Sequence, residues 1–265
     1  MGEVALALFW PALFGYAEAA VAYIGETVRP GQPGRFAIWG VRVGWLAQTV
    51  LLITQAAGSS RFPWGSWAGS LNLFVWMCVS AYLIWGCRAS FRLLGLSVMP
   101  LAVGLFVLSR IAGGDSVATT PTFGVAFLVF HVCLVLAAFA GFTLAAGLAV
   151  VYLWQDRRLK SRSPTLLRVR APALATLDSL IGRTIAVALP ALTLGIGVGL
   201  VRAVVDRVRF DPVMAVTLAA WVVYAAFLVL RREAGWRGRK AAYMALSGFA
   251  LVILLRVATV PFGHF

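Results

Sequence analysis

The sequence predicts an all-α polytopic membrane protein with about eight transmembrane helices and both termini outside. Three observations predict it. Hydrophobic residues make up 62% of the chain and the mean hydropathy is +0.91, far from the composition of a soluble domain. Apolar runs of about 20 residues, the length that crosses a bilayer, recur along the whole chain. The connections between them alternate between basic and nearly uncharged. The whole of 1–265 is expected to form a single integral-membrane domain.

The runs lie at 4–24, 36–57, 69–87, 91–112, 123–154, 181–204, 212–230 and 241–260. Of the 23 Lys and Arg residues, two fall in 25–35, two in 88–92, seven in 156–183 and five in 231–240. The opposite side carries Arg61, Arg110, Arg202, Arg207, Arg209 and Arg256, and Arg42 lies inside the second run. Basic loops stay in the cytoplasm. The same charge, +14 overall, therefore orients helices. The basic segments are short and lack a nucleic-acid-binding fold, so no nucleic-acid partner is expected.

The first run follows Met1-Gly2-Glu3, which has no basic n-region. It reads as a retained anchor and not as a cleaved signal peptide. It contains Glu18, and the second run contains Arg42 at a matching depth. Ionisable residues at such depth pair or line a cavity, so a Glu18–Arg42 pair between adjacent helices is expected. The outer loop Arg61-Phe62-Pro63-Trp64-Gly65-Ser66-Trp67 leads into the third run. Trp64 and Trp67 suit either interfacial anchoring or the cover of a flat aromatic ligand.

The fifth run is the centre of the chain. A helix over Phe123–Trp154 is about 48 Å long, more than the ~30 Å hydrocarbon core. Its basic end, Asp156 to Arg162, fixes the cytoplasmic side, so His131 falls at the outer interface. The loop 156–183 is the longest. Ala171–Leu180 within it reads as a short amphipathic piece on the cytoplasmic surface, flanked by Arg168, Arg170 and Arg183 facing anionic headgroups. In the sixth run Pro190 predicts a kink, and Gly195, Gly197 and Gly199 permit close helix approach. The outer loop Asp206–Asp211 brings Arg207, Arg209 and Asp211 to the face of His131. The eighth run ends near Val260, Pro261 and Gly263 break it, and His264 follows outside.

Both histidines of the chain thus reach one face of the membrane. Two imidazoles with aromatic neighbours suit an axial pair on haem iron. Zinc lacks a third and fourth ligand at sensible spacing. Arg202, Arg207, Arg209 and Arg256 near that face suit propionate carboxylates, or simply snorkel to the interface. Cys78, Cys87 and Cys133 form no Cys-x-x-Cys, so neither a redox dithiol nor a disulfide is expected. Lys160 and Lys240 both lie in loops, which excludes a retinal Schiff base within a helix. There is no Walker A motif, no paired acidic cluster and no repeat of a transporter kind.

Several stretches resemble the CcsA/HemX-type cytochrome c assembly proteins. They are Phe130-His131-Val132, Tyr152 to Lys160, Leu177 to Thr184 and Leu189 to Gly195. Others are Asp211-Pro212, Trp221 to Tyr224, Gly235 to Ala242 and Gly263-His264, with Pro63 and Ser70 to Trp76 upstream. The likeness is close over 123–264 and looser over 1–115, where 36–90 carries it. It departs from the family at Val208-Arg209-Phe210-Asp211-Pro212, where tryptophans are absent, and at Gln48, where a histidine is common.

The resemblance implies non-covalent haem b held by His131 and His264 as axial metal ligands. Trp64, Trp67, Arg256, Arg207, Arg209 and Asp211 would surround it. It implies haem delivery to apocytochrome c in the bacterial plasma membrane, with apocytochrome c or a second membrane assembly subunit as partner. No residue looks like a general acid or base, so the chain is at most a component of a haem-attachment system. The HemX-type alternative is a membrane regulator acting on glutamyl-tRNA reductase, a cytosolic enzyme of haem synthesis. A haem or small-molecule transporter is a further alternative.

Overall fold

The computed structural model describes residues 3–28, 33–57, 66–86, 92–111, 125–161, 173–205 and 212–258. Eight helices account for nearly all of them: α1 Glu3–Val28, α2 Pro33–Ala57, α3 Trp67–Gly86, α4 Arg92–Ile111, α5 Val125–Lys160, α6 Leu174–Val205, α7 Pro212–Glu233 and α8 Arg239–Ala258. Each apolar run became one helix, because a backbone in lipid must satisfy its own hydrogen bonds. Six of these helices are long and apolar enough to cross a membrane, and α3 holds a shorter apolar segment, Ala68–Ile84. α5 is the most enclosed of the six: 72% of its apolar window is buried, against 17–39% for the others.

The chain forms two compact units. The first comprises Met1–Thr119 with Trp154–Ala173, and the second Thr120–Leu153 with Leu174–Phe265.

In the first unit α1 and α2 touch backbone to backbone. A Cβ at Gly15 would lie 2.6 Å from the Gly40 carbonyl oxygen and 2.9 Å from Gly44 Cα, so only glycine permits this approach. Above the contact, the buried Tyr16 hydroxyl donates to Gln48 Oε1 at 2.6 Å. Gln48 Nε2 donates to Asn72 Oδ1 at 2.7 Å and to its carbonyl at 3.0 Å. Trp45 and Trp76 stack at 5.8 Å between α2 and α3. Each indole N–H reaches a hydroxyl on the opposite helix, Ser80 at 2.7 Å and Thr49 at 2.8 Å. Ser66 caps α3 by accepting the Gly69 amide, the usual role of a serine at that place. α4 packs on α1 through the Phe9–Phe106 stack and through Gly95 against the Tyr23 ring.

Two expectations are corrected. Glu18 and Arg42 both sit at exposed positions, and among the described residues they make no ion pair. The Arg42 guanidinium lies over the Trp39 ring at 5.5 Å, and the Glu18 carboxylate rests against Gly40. The expectation failed because equal depth does not fix facing. The α1–α2 contact is built from glycines, so longer side chains are turned to its flanks.

The second correction concerns the surface piece at 171–180. Residues from Leu174 onward belong to α6 itself, a continuous helix of 32 residues that runs on through Pro190. Leu177, Asp178, Leu180 and Ile181 are buried. The start of this helix is held by packing and by an ion pair within the second unit.

That ion pair joins three helices of the second unit. Asp178 on α6 accepts from Arg231 at the end of α7, at 2.7 and 3.2 Å, and from the Gly238 amide before α8 at 2.7 Å. The α7–α8 turn depends on Gly235 and Gly238, with φ of 63° and 68°, a region that costs a side chain about 1 kcal/mol or more. Deeper in, Phe142 of α5 stacks on Tyr224 of α7 at 3.7 Å, and Gly248 of α8 admits the same tyrosine ring.

Candidate functional site

The site begins with the seam between α5 and α6. These helices run antiparallel in one register. A Cβ at Gly141 would lie 2.8 Å from Ala188 Cβ. One at Gly195 would lie 2.8 Å from Val135 Cγ2, and one at Gly199 would lie 2.6 Å from His131 Cε1. Small residues on one helix thus meet larger ones on the other. At the last of these contacts the larger side chain is an imidazole.

The His131 ring is fixed as well as packed. Its Nδ1 lies 2.8 Å from the Gly195 carbonyl oxygen. A carbonyl only accepts, so Nδ1 carries the proton. In the neutral ring Nε2 then holds the lone pair. This is the arrangement by which a backbone carbonyl sets the tautomer of a metal-binding histidine. The ring is half-buried, and no hydrogen bond engages Nε2 among the described residues.

The His131 seam and the Asp178 node occupy opposite poles of the second unit. Gly199 follows Asp178 on α6 by 21 residues, roughly 32 Å of helix. α8 starts beside the node, since Gly238 is part of it, and its 20 residues span about 30 Å. Its far end at Ala258 is therefore directed to the pole of His131.

The other expected site residues fall unevenly. Trp64, Arg207, Arg209, Asp211 and His264 lie outside the described residues. Trp67 opens α3 and Arg256 lies in the last turn of α8, and their backbones alone are described. Arg202, on α6 three residues after Gly199, is half-buried.

Among the described residues no group of three or more His, Cys, Asp or Glu could hold a metal ion, so no zinc-like cage is present there. An axial ligand needs only one imidazole with a fixed ring and an available nitrogen, and His131 fits that requirement. Sequence reasoning missed the Asp178–Arg231–Gly238 node. Its signal was one acidic residue at the start of an apolar run and arginines at the end of the next.

Apolar helices with an oriented imidazole at one pole define a polytopic helical membrane protein. The sequence profile of the cytochrome c assembly protein family matches residues 64–259, and the chain belongs to that family. This range includes His131, Gly195, Gly199 and Arg202 and ends five residues before His264. A protein of Prochlorococcus marinus called cytochrome c biogenesis protein CcsA is 27% identical over 241 residues, covering 79% of this chain and 76% of its own. The CcsA protein of Synechococcus sp. is 28% identical over 240 residues, covering 78% and 79%. That of Microcystis aeruginosa is 26% identical over 264 residues, covering 80% of each chain. No solved structure matches the chain. The protein is thus a multi-pass helical protein of the bacterial plasma-membrane type, linked through its family to cytochrome c biogenesis.

Proposed function

We propose that the chain binds haem b at the outer pole of its second unit and presents it for attachment to apocytochrome c. His131, through Nε2, and His264 would hold the haem iron. The observation that carries this is the Nδ1–Gly195 hydrogen bond, which leaves the ligating nitrogen unprotonated before any metal arrives. The direction of α8 supports the second ligand. His264 follows Ala258 by six residues, a reach of up to roughly 20 Å from the end of the helix.

In this proposal all eight helices cross the membrane, both termini lie outside, and the basic segments lie in the cytoplasm. Trp64 and Trp67 cover the haem face. Arg256, Arg207 and Arg209 pair with propionates, and Asp211 joins them as a polar neighbour. Bound haem supplies vinyl groups to which cysteine thiols of an apocytochrome add. The chain's own residues bind, orient and exclude water, so its contribution is positioning. The partner is apocytochrome c or a second membrane assembly subunit, in keeping with the names of the relatives.

Absorption spectroscopy of the detergent-purified protein tests the proposal. A low-spin haem spectrum that turns high-spin or vanishes in His131→Ala is expected. An unchanged spectrum in that variant removes His131 as a ligand.

A further inference from the structure

Gly195, Gly199 and Arg202 follow one another at i, i+4 and i+7 on α6, so they share one face of the helix. The first two positions are occupied by His131: its Nδ1 meets the Gly195 carbonyl and its ring fills the space above Gly199. Arg202 is the next group on that face, one turn nearer the end of the helix. Side chains on a helix lean back over the preceding turn, here the turn that carries Gly199. The side chains flanking it, Val201 and Val204, are exposed and apolar. A half-buried cation thus lies three residues, about 4.5 Å of rise, beyond the glycine that faces the imidazole.

A ligand held at Nε2 that also reaches Arg202 must carry an anionic group on the edge of an otherwise apolar body. Guanidinium recognises a carboxylate by two parallel N–H donors and is less strongly hydrated than an ammonium group. We infer that Arg202 is a specificity residue that takes a carboxylate of the ligand bound at His131. The site would therefore distinguish an iron porphyrin with free carboxylates from its neutral ester. This rests on the proposal that His131 binds haem. The other role open to Arg202 is structural: a cation in the last turn of α6 complements the helix dipole.

Titration of the detergent-purified full chain with haemin and with haemin dimethyl ester, followed at the Soret band, separates the two roles. The wild type is expected to prefer the free acid by about tenfold, the scale of one charge-assisted hydrogen bond. Arg202→Met is expected to reduce that preference by the share one guanidinium supplies, weakening acid binding while leaving ester binding unchanged. Arg202→Lys is expected to keep part of it, and it guards against a folding defect in the methionine variant. Equal weakening of both ligands in Arg202→Met, or unchanged selectivity, overturns the assignment of Arg202 while the haem site stands. Absence of any low-spin species in the wild type removes the haem site, and this inference with it.

Discussion

The Arg231 guanidinium grips the Asp178 carboxylate in a two-point pair, Nη2 to Oδ2 at 2.7 Å and Nη1 to Oδ1 at 3.2 Å. Nη2 also donates to the Asp178 carbonyl at 3.0 Å. The Asp178 and Arg231 side chains are only 11% and 19% exposed, so solvent does little to replace either partner. A Cβ at Gly182 would lie 2.5 Å from Arg231 Nε, so glycine one turn along α6 makes room for the guanidinium.

Asp178→Ala is therefore expected to destabilise the second unit by about 3 kcal/mol, because it strands a mostly buried cation and the Gly238 amide. Asp178→Leu combined with Arg231→Met is expected to recover most of that loss. Thermal unfolding in detergent of Asp178→Leu, Arg231→Met and the double variant gives the coupling directly. Additive losses would show that the pair does not hold the three helices together.

In the first unit the corresponding lock is uncharged. Gln48 has no exposed surface and connects Tyr16 on α1 to Asn72 on α3. Gln48→Leu leaves the buried Tyr16 hydroxyl without its acceptor and Asn72 Oδ1 without its donor, at a cost of about 2 kcal/mol. Tyr16→Phe added to it is expected to cost less than the two separate losses together, since the hydroxyl is then no longer stranded. Denaturation midpoints of the three variants check this.

Membrane orientation is open to chemical labelling. In a background with Cys78, Cys87 and Cys133 replaced by alanine, Ser163→Cys is expected to react with an impermeant maleimide only after the membrane is opened. Phe265→Cys is expected to react in intact cells. Labelling of Phe265→Cys from the cytoplasmic side alone would separate His264 from His131 and remove the second axial ligand.

The helices were legible because lipid leaves an apolar run few alternatives. The run at 36–57 became Pro33–Ala57, and that at 212–230 became Pro212–Glu233. What facing decides was not legible. The depth of Glu18 and Arg42 followed from length and charge, yet a glycine contact turned both outward. The segment 171–180 carried a polar residue, Asp178, and so read as a surface piece. Its partner Arg231 lies 53 positions away, beyond any local pattern. His131 was found through its rarity and its place near a membrane edge. The carbonyl that orients it belongs to a glycine that sequence alone marks only as small.

That orienting contact gives the sharpest test of the site. A Cβ at Gly199 would lie 2.6 Å from His131 Cε1, closer than real Cβ contacts come, and 3.2 Å from Nδ1. Gly199→Ala must push the ring aside and stretch or break the bond to Gly195, while adding only one methyl group to the helix. Gly197, two residues earlier, is the matched control, because a Cβ there meets nothing within 4 Å. Both substitutions replace a helical glycine with the better helix former, a gain of up to about 1 kcal/mol. The haem spectrum is expected to shift toward high-spin in Gly199→Ala and to stay low-spin in Gly197→Ala, with both proteins folded by thermal melting. Identical spectra in the two variants would mean that the seam packs the helices without aiming the imidazole.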